Sequence, residues 1–385
     1  MRLLDGMSVE TWAHCAPWYH ANTMKNNLRL NKTAVTQPTV KPHRCIKLGL
    51  DVHAESIRVV RMLDAATPQP AQKMTQPDFL KWVQKQLALA DEVYSCYEAG
   101  PMGFGLHRKL IAMGIRNVVV RPQCLDDFMA RMKTDKIDAL GLAKRLDFYV
   151  QGNRTALAVI RVPSEKEEQE RALSRQREQL VRTTKQLAAQ GRSLMLYQGF
   201  RVIGVWWRRQ WPELCRRLPE WLVQRLEVFR GVLLVLDKQV NALTTQLETA
   251  APSGLPYGLG PLSFEVIRRE IGDWKRFKNR RQVGSFTGLC SGVSSSGNKR
   301  RTLSINKCGN PRLRSALVVA AWRFLQYQPQ SRLLQKWKHV LLTPRQGGSS
   351  KKRAIVAVAR QLMVDLWRWQ TDRIKPKELA WRMAA

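Results

Sequence analysis

Carboxylates are missing from a long part of the carboxyl-terminal half of this chain. Residues 274–364 contain 20 lysines and arginines and no aspartate or glutamate in 91 positions. Like charges at this density repel one another unless phosphates or counterions neutralise them, so the segment is expected to face a polyanion. The absence also excludes a carboxylate metal site built from this segment alone, because hard cations need anionic oxygen ligands.

The sequence also lacks the features of membrane-spanning, secreted, disulfide-linked and zinc-binding proteins. No run of about 18 apolar residues could cross a membrane, and the amino-terminal residues lack the apolar stretch of a signal peptide. The 7 cysteines include no Cys-x-x-Cys pair and the 6 histidines show no ligand spacing, which argues against a disulfide framework and against zinc. We therefore expect a protein of a reducing cytosol without a membrane partner.

Positive charge is what the chain has in excess. The formal net charge is +35 over 385 residues, and it is spread in patches rather than gathered in one tail. This distribution favours an extended nucleic-acid surface. An apolar content of 44% supports real cores, and the length is enough for two or three domains.

The first part of the chain predicts an α/β domain after an extension. Residues 1–44 show no hydrophobic period and are interpreted as a mobile extension, whereas residues 45–162 alternate between strand and helix patterns around a central sheet. Strands are predicted at residues 45–53, 56–63, 92–97 and 117–120. Helices are predicted at residues 77–89, 106–113, 123–132 and 136–149. A glycine-rich turn at residues 100–105 fits neither G-x-G-x-x-G nor G-x-x-x-x-G-K-[ST], so it gives little support for a nucleotide cofactor.

Carboxylates of this domain stand where secondary-structure elements end. Asp51 ends the first predicted strand and Glu98 ends a later one. Asp135 and Asp138 lie at the start of a predicted helix, on one face. If these ends converge, the carboxylates repel one another unless a divalent metal neutralises them, and Mg²⁺ or Mn²⁺ is then the expected cofactor. The alternative is that Asp135 caps its helix and Asp138 is solvated.

Residues 163–250 predict a long helical hairpin. One helix is expected over residues 164–196, with leucines every seventh residue, and a second helix lies between Pro219 and Pro252. Apolar residues of the second helix alternate spacings of four and three, as in a coiled coil. They are Leu222, Leu226, Phe229, Leu233, Leu236, Val240, Leu243 and Leu247. This seam predicts either self-association or packing against the first helix.

The predicted tip of the hairpin, residues 199–219, is rich in tryptophan and arginine. Trp206, Trp207 and Trp211 lie there among several arginines. Two interpretations stay open at this point. The tip is either a packed loop, or a surface that contacts another subunit or stacks on bases.

Residues 251–372 predict a mostly helical domain that starts like a helix-hairpin-helix and carries a serine loop, and residues 373–385 form a tail. Ser294, Ser295 and Ser296 form the serine run of the loop. Further helices are expected at residues 311–327, 333–342 and 351–370, with a mobile loop at residues 344–350. Basic residues near the loop and the helix starts are expected to bind phosphate. They are Lys299, Arg300, Arg301, Lys307, Arg312, Arg314, Lys351, Lys352 and Arg353.

Together these motifs resemble the DEDD-class insertion-sequence transposases, which are similar to Piv-type DNA invertases. Their acidic tetrad lies in a RuvC-like (RNase H-like) domain and is matched here by Asp51, Glu98, Asp135 and Asp138. Their C-terminal pattern is matched by GLGPL, FTGL, SSG, KRR, INKCGNPRLRSAL and KKRAIVAVARQL, so the resemblance covers about residues 45–370. It implies a catalytic serine, which maps best onto Ser296 with Ser295 as the near rival.

The same resemblance implies the partners and the setting. It implies action on the DNA of element ends and target in the bacterial cytosol, associated with the nucleoid, and guidance by a structured bridge RNA. The coiled coil adds a means of forming a homo-oligomer, either a dimer or a tetramer.

The chemistry of a serine nucleophile agrees with this resemblance. A serine hydroxyl needs a base or a metal for activation at neutral pH, and the acid-free segment offers no carboxylate base. Metal held by the tetrad can supply that activation, while Lys299, Arg300 and Arg301 stabilise developing charge. Two rivals stay open: a RuvC-like metal-dependent junction nuclease without a covalent intermediate, and a non-catalytic nucleic-acid-binding scaffold.

Overall fold

The computed structural model describes residues 41–122, 135–296, 299–343 and 348–384. The chain divides into two units, Met1–Arg161 and Val162–Ala385. The predicted helix at residues 123–132 and nearly all of the predicted extension lie outside the described residues.

The first unit is built on a mixed five-stranded sheet with the order β3-β2-β1-β4-β5. Its strands are β1 (His43–Val52), β2 (Ile57–Leu63), β3 (Gln72–Met74), β4 (Ala90–Glu98) and β5 (Arg116–Val120). Its helices are α1 (Gln76–Leu89), α2 (Gly105–Ala112) and α3 (Asp135–Val150). β1 pairs antiparallel with β2 and parallel with β4, and β4 pairs parallel with β5. The predicted α/β class is confirmed, and this sheet is compatible with an RNase H-like domain.

Hydrophobic runs explain why the central strands form where the sequence predicts them. All five residues from Ile46 to Leu50 of β1 are buried, as expected of a strand that is covered on both faces. β3 was not predicted, because its three residues are short, polar and largely exposed. Only pairing with β2 defines it as a strand.

Gly49 controls how closely α3 approaches the sheet. A Cβ atom added at Gly49 would lie 2.3 Å from the carbonyl oxygen of Ala139 and 2.4 Å from the nitrogen of Ala143. Only glycine therefore permits this contact between the strand and the backbone of the helix. Close to it, the buried Lys47 ammonium contacts the Asp147 carboxylate at 2.6 Å and fixes the same helix against the same strand.

The second unit is mainly helical. Its helices are α4 (Glu165–Tyr197), α5 (Trp211–Arg217), α6 (Glu220–Thr249), α7 (Pro261–Ile271), α8 (Arg280–Phe286), α9 (Pro311–Tyr327), α10 (Arg332–Gln335), α11 (Lys338–Leu341) and α12 (Gly348–Gln370). A two-stranded sheet joins β6 (Ser291–Ser296) and β7 (Lys299–Ile305). The helix predicted at 333–342 is two short helices, α10 and α11. Helix α12 begins at Gly348, so residues 348–350 of the predicted loop are helical, and residues 344–347 lie outside the described residues.

The two long helices α4 and α6 pack against each other. On α6, four of the eight predicted seam residues are buried: Leu222, Leu226, Leu233 and Leu247. On α4, the buried residues are Ser174, Ala188, Gly191 and Met195, and not the predicted leucine line. Small side chains let α6 and its neighbours approach α4 closely. Packing within the chain is thus confirmed, whereas regular coiled-coil geometry stays a prediction.

The tryptophans at the tip of the hairpin are buried, which favours the packed loop over the contact or stacking surface, the two interpretations that the sequence left open. Trp206 is fully buried, and Trp207 and Trp211 are nearly so. The Trp206 indole N–H donates to the carbonyl of Ala188 at 3.0 Å, and that of Trp207 donates to Asp237 at 2.7 Å. A Cβ atom at Gly191 would lie 2.2 Å from the Trp206 ring. The rings fill the end of the helical hairpin because burial of such large apolar surfaces stabilises it.

The rest of the second unit surrounds α9 and α12. Leu313, Leu317, Ala320, Ala321 and Phe324 form the buried stripe of α9. The sequence period of this helix predicts the first four together with Leu325, which is only partly buried. Two residues of the predicted tail, Leu379 and Trp381, belong to the same core. Across the described ranges, no helix is both long enough and apolar enough to span a membrane.

Candidate functional site

Two of the predicted catalytic carboxylates lie side by side at one edge of the sheet. In the parallel pair of β1 and β4, Leu50 is opposite Tyr97. The next residues, Asp51 and Glu98, therefore stand opposite each other at the carboxyl ends of the two strands. Both side chains are partly buried. Neighbouring parallel strands thus bring together two residues that are 47 positions apart in the sequence.

The first turn of α3 lies against the same edge. Lys47 contacts Asp147 and Gly49 contacts Ala143, so α3 runs antiparallel to β1. Two residues of a strand and four residues of a helix both advance by about 6 Å. Going two residues forward from Gly49 in β1, and four residues back from its contact in α3, brings Asp51 level with the first turn of α3. That turn begins at Asp135.

A contact from β4 gives the same result for Asp138. The Cys96 thiol lies 3.5 Å from the carbonyl oxygen of Leu142. Going two residues forward from Cys96 in β4 and four residues back from Leu142 in α3 brings Glu98 level with Asp138. The structure therefore brings Asp51, Glu98 and Asp138 to one end of the sheet. Asp135 is the first residue of α3, and its side chain lies outside the described residues.

His53 is a neighbour of this edge that sequence reasoning missed. Its Nε2 atom lies 3.0 Å from Oδ2 of Asp51, whose side chain is 19% exposed. A hydrogen bond to one oxygen orients the carboxylate and leaves the other oxygen for a ligand. The signal in the sequence was a histidine two residues after a strand-end aspartate.

The donor set fits a hard divalent cation by its chemistry, since all four groups are carboxylates. Over the part of the chain that the structure describes, no three His, Cys, Asp or Glu side chains are arranged as a ready metal site. The residues are brought to one edge, but their side chains are not preassembled around an ion.

The serine segment is a strand, which corrects the prediction of a loop. β6 pairs antiparallel with β7, and the register places Ser294 opposite Arg301, Ser295 opposite Arg300, and Ser296 opposite Lys299. Each serine position is therefore matched by a basic position across the hairpin. Ser294 and Ser295 are exposed, and the side chains of Ser296, Lys299 and Arg300 lie outside the described residues.

The base of this hairpin is held by close backbone contact. A Cβ atom at Gly309 would lie 2.5 Å from the carbonyl oxygen of Phe286, and Gly288 has a φ of +68°. The Lys307 amide donates to the Gly288 carbonyl at 3.2 Å. Arg314 donates to the carbonyls of Thr287 and Lys307 at 3.4 and 3.3 Å. Arg314, predicted as a phosphate contact, thus braces the hairpin.

The remaining predicted phosphate contacts have different surroundings. The Arg312 guanidinium is paired with the Glu178 carboxylate of α4. Lys351, Lys352 and Arg353 lie in the first two turns of α12, where Arg353 donates to the Ser350 hydroxyl at 3.4 Å. Lys352 and Arg353 also line a cavity that reaches the serine hairpin.

A buried glutamate links three elements of the second unit, and sequence reasoning missed it. Glu270 of α7 accepts two hydrogen bonds from Arg175 of α4, at 2.9 and 2.8 Å, and one from the Asn310 amide at 2.5 Å. The oxygen of the same Asn310 amide caps α9. Burial alone raises the pKa of Glu270, but the bonds from Arg175 and Asn310 outweigh burial and hold it below its ordinary value. We call these three residues the Glu270 clasp.

Comparison with known proteins identifies the family. Residues 257–336 match the family model described as transposase, IS116/IS110/IS902 family, and residues 48–198 match the model DEDD_Tnp_IS110, described as transposase. The carboxylate edge lies within the second match and the serine hairpin within the first.

Curated relatives carry the same description. A putative transposase y4rJ of Sinorhizobium fredii is 32% identical over 300 residues, which cover 71% of this chain and 75% of that protein. The transposase for insertion sequence element IS1533 of Leptospira borgpetersenii is 23% identical and covers 73% of this chain and 85% of that protein. The transposase for insertion sequence element IS1111A of Coxiella burnetii is 25% identical, with 68% and 73% covered. The chain therefore belongs to the IS116/IS110/IS902 family of insertion-sequence transposases, which are DNA recombination enzymes.

Proposed function

We propose that this transposase cuts and rejoins DNA with Ser296 as the nucleophile and with a divalent metal, Mg²⁺ or Mn²⁺, held by Asp51, Glu98, Asp135 and Asp138. The observation that carries the proposal is the meeting of Asp51 and Glu98 at one sheet edge, level with the first turn of α3. Carboxylates gathered at one sheet edge would repel one another without a cation, which supports the proposal of a bound metal.

The covalent step is an exchange of one phosphate ester for another. The Ser296 Oγ forms a bond to phosphorus, the bond from phosphorus to the sugar oxygen of the cut strand breaks, and the serine proton ends on that oxygen. A bound Mg²⁺ or Mn²⁺ supplies polarisation of the scissile phosphate. The energy of the ester bond is kept in the protein–DNA link, so the reverse attack by a sugar hydroxyl rejoins the strand.

Residues of the chain have three roles in this step. The carboxylates bind and orient, and His53 holds Asp51 in a single orientation through its hydrogen bond of 3.0 Å. The basic positions of β7 (Lys299, Arg300 and Arg301) lie opposite the serines in the register and support charge stabilisation at the phosphate.

Nucleic acid is the proposed partner on two grounds. The 91 acid-free residues at 274–364 favour phosphate contact, and several of their basic side chains are exposed. We propose that the bound nucleic acid comprises the DNA of element ends and target together with a structured guide RNA, in the bacterial cytosol. The guide follows from the resemblance of the sequence motifs to RNA-guided recombinases of the same class.

Self-association is proposed through the exposed side of the helical hairpin. Trp221, Val228, Val232 and Val235 of α6 are large, exposed and spaced by seven, four and three residues. Tyr197 at the end of α4 is exposed beside them, and these side chains form a stripe that a second copy covers in a dimer or tetramer.

The oligomer is tested by mass in solution. Val228→Glu combined with Val235→Glu is expected to lower the mass to that of one chain while helicity is kept. Asn241→Asp adds charge at an exposed position of the same helix on a different face and serves as the control. An unchanged mass in the double variant would contradict the proposal.

The nucleophile is tested by trapping the covalent product. The full chain is incubated with element-end DNA, candidate RNA and Mg²⁺, denatured, digested, and the modified peptide is identified by mass spectrometry. An adduct on Ser296 is expected, absent in Ser296→Ala and retained in Ser295→Ala. Asp51→Ala should lose the adduct while nucleic-acid binding is kept.

Other outcomes assign other functions. An adduct on Ser295, or recombination by Ser296→Ala at the normal rate, would refute the choice of serine. Metal-dependent cleavage without any adduct would indicate a RuvC-like junction nuclease that uses water. Binding without cleavage in any condition would indicate a non-catalytic scaffold.

A further inference from the structure

Two cavities of the second unit adjoin to form one groove beside the serine hairpin. The first, of about 880 Å³, lies between β6–β7 and α12. The second, of about 410 Å³, lies between α10 and α12. Trp337, Ala357 and Arg360 line both, so the two cavities adjoin at these residues. We call this space the α12 groove.

The α12 groove is strongly basic. Six of its lining residues are cationic: Arg332, Lys336, Lys352, Arg353, Arg360 and Arg368. Its one carboxylate, Asp365, lies 3.9 Å from Arg368 and accepts a hydrogen bond from Gln361. Within the described part of the chain, no close ion pair involves Arg332, Lys336, Lys352 or Arg360, although the charge of Arg332 acts on Asp365 from a longer distance. Such an excess of positive charge favours a phosphate backbone.

An aromatic ring stands where the two cavities meet. Trp337 is partly exposed there, with the Lys336 ammonium 6.0 Å from the centre of its ring. The tryptophans at the tip of the helical hairpin are buried, and Trp337 differs from them because it lines open space. Basic grooves with an aromatic side chain are the common means of binding single strands, since every base offers a face for stacking.

We propose that the α12 groove binds a short single-stranded segment of DNA, with a base stacked on Trp337 and its phosphates on Arg332, Lys336, Lys352 and Arg360. A single strand is required because the bases of a duplex already stack on one another. DNA is favoured because Ser291 and Ser304 of the serine hairpin form one wall of the groove. This choice rests on the proposed function, in which the cut DNA strand is bound at that hairpin.

The test is a binding assay on the full chain in EDTA, which needs neither cleavage nor metal. Fluorescence anisotropy measures the affinity for fluorescein-labelled single-stranded oligo(dT) and for a duplex of equal length. Trp337→Ala is expected to weaken single-strand binding about 5- to 150-fold, the effect of one stacked base. Duplex binding is expected to change less than about twofold, because a duplex offers no free base face.

Matched variants and ligands distinguish the loss of base stacking from a general loss of nucleic-acid binding. Trp322→Ala removes an exposed tryptophan of α9 outside the groove and should leave binding unchanged. Trp337→Phe keeps an aromatic face and should retain single-strand binding. An abasic strand with the same phosphates should bind Trp337→Ala and the unaltered protein equally. If Trp337→Ala does not fold, Lys336→Gln with Arg332→Gln should still reduce the preference for single strands.

Four results would overturn the proposal: unchanged oligo(dT) binding by Trp337→Ala, an equal loss in Trp322→Ala, an equal loss with the abasic strand, or a loss confined to oligo(U) RNA. Failure here is distinct from failure of the proposed function. Oligo(dT) binding that does not depend on Trp337 leaves the covalent adduct untouched. Conversely, single-strand binding that depends on Trp337, without a covalent adduct, would refute the role of Ser296 as nucleophile and leave the proposal for the α12 groove intact.

Discussion

Replacing Glu270 by glutamine is expected to be among the most destabilising single changes in the second unit. The side chain of Glu270 is 0% exposed, and Arg175, its partner at 2.8 Å, is 41% exposed. Glu270→Gln keeps the size of the side chain but removes its charge, so that Arg175 faces a neutral amide. The substitution also disturbs the hydrogen bond to Asn310, which caps α9.

The expected cost follows from this geometry. Removing one partner of a buried ion pair costs about 3–5 kcal/mol, because the other charge is left without compensation. Arg175 is partly exposed and can rehydrate, so we expect a value near the lower limit, about 3 kcal/mol. This is a large part of the 5–15 kcal/mol of free energy of unfolding that is typical of a domain.

Urea unfolding of the full chain measures this effect, and an exposed pair provides the control. Glu213 and Arg217 lie 3.5 Å apart and are both mostly exposed, and the same change, Glu213→Gln, should cost only about 0.3–0.5 kcal/mol. Equal costs for the two substitutions would refute the reasoning. Combining Glu270→Gln with Arg175→Met should recover part of the loss, because the uncompensated charge is then removed.

The clasp also predicts the direction of a pH effect. The pKa of Glu270 is held below its ordinary value of 4.5, since the bonds from Arg175 and Asn310 outweigh the effect of burial. A lowered pKa in the folded state means that the unfolded chain takes up the proton first as the pH falls. The contribution of the clasp is therefore complete above about pH 4.5 and is lost below it, as the pH passes through the native pKa. Glu270→Gln should remove this acid-dependent part of the unfolding curve.

Three further predictions concern other parts of the molecule. Gly49→Ala should lower the free energy of unfolding by about 1–3 kcal/mol and reduce metal-dependent cleavage, because the added Cβ would meet the α3 backbone at 2.3 Å. Gly231→Ala on α6 is the control, since its Cβ meets open space and should stabilise the helix. Equal unfolding midpoints for the two variants would contradict this prediction. Burial raises the pKa of Asp365 from 3.8 to about 6, so ionising it costs stability as the pH rises between these values. Asp365→Asn should therefore stabilise the protein by about 1–3 kcal/mol at pH 7.5 and by almost nothing at pH 4, as measured by urea unfolding, and a difference independent of pH would exclude the reasoning. Duplex affinity should fall with salt at a log–log slope of about −0.9 per phosphate neutralised, and a slope near zero would contradict binding through phosphates.

Local patterns were enough to predict most elements of secondary structure. β1 contains an uninterrupted buried run, and the apolar residues of α9 recur at the period of a helix. Each segment by itself therefore contains the signal for its secondary structure. Helix starts were equally readable, since Ser164 and Asn310 cap α4 and α9 with their own side chains. The α/β class of the first unit and the carboxylates at its strand ends followed from these patterns.

Charge and motif order went further than secondary structure. The acid-free segment indicated a polyanion as partner, and the order of the motifs indicated the transposase family that the comparisons then identified. These properties are readable because they depend on composition and order along the chain, and not on which segments meet in space.

The serine hairpin, the buried tryptophans and the Glu270 clasp were decided only by the tertiary structure. A serine-rich segment has the composition of a loop, and it becomes a strand because β7 supplies its hydrogen-bond partners. Arginine-flanked tryptophans suit a binding surface equally well, and their burial depends on the space left by Ala188 and Gly191 of another helix. Arg175 and Glu270 meet across 95 positions of sequence. The contact energies that select these arrangements arise between segments far apart in the chain, and no local pattern records them.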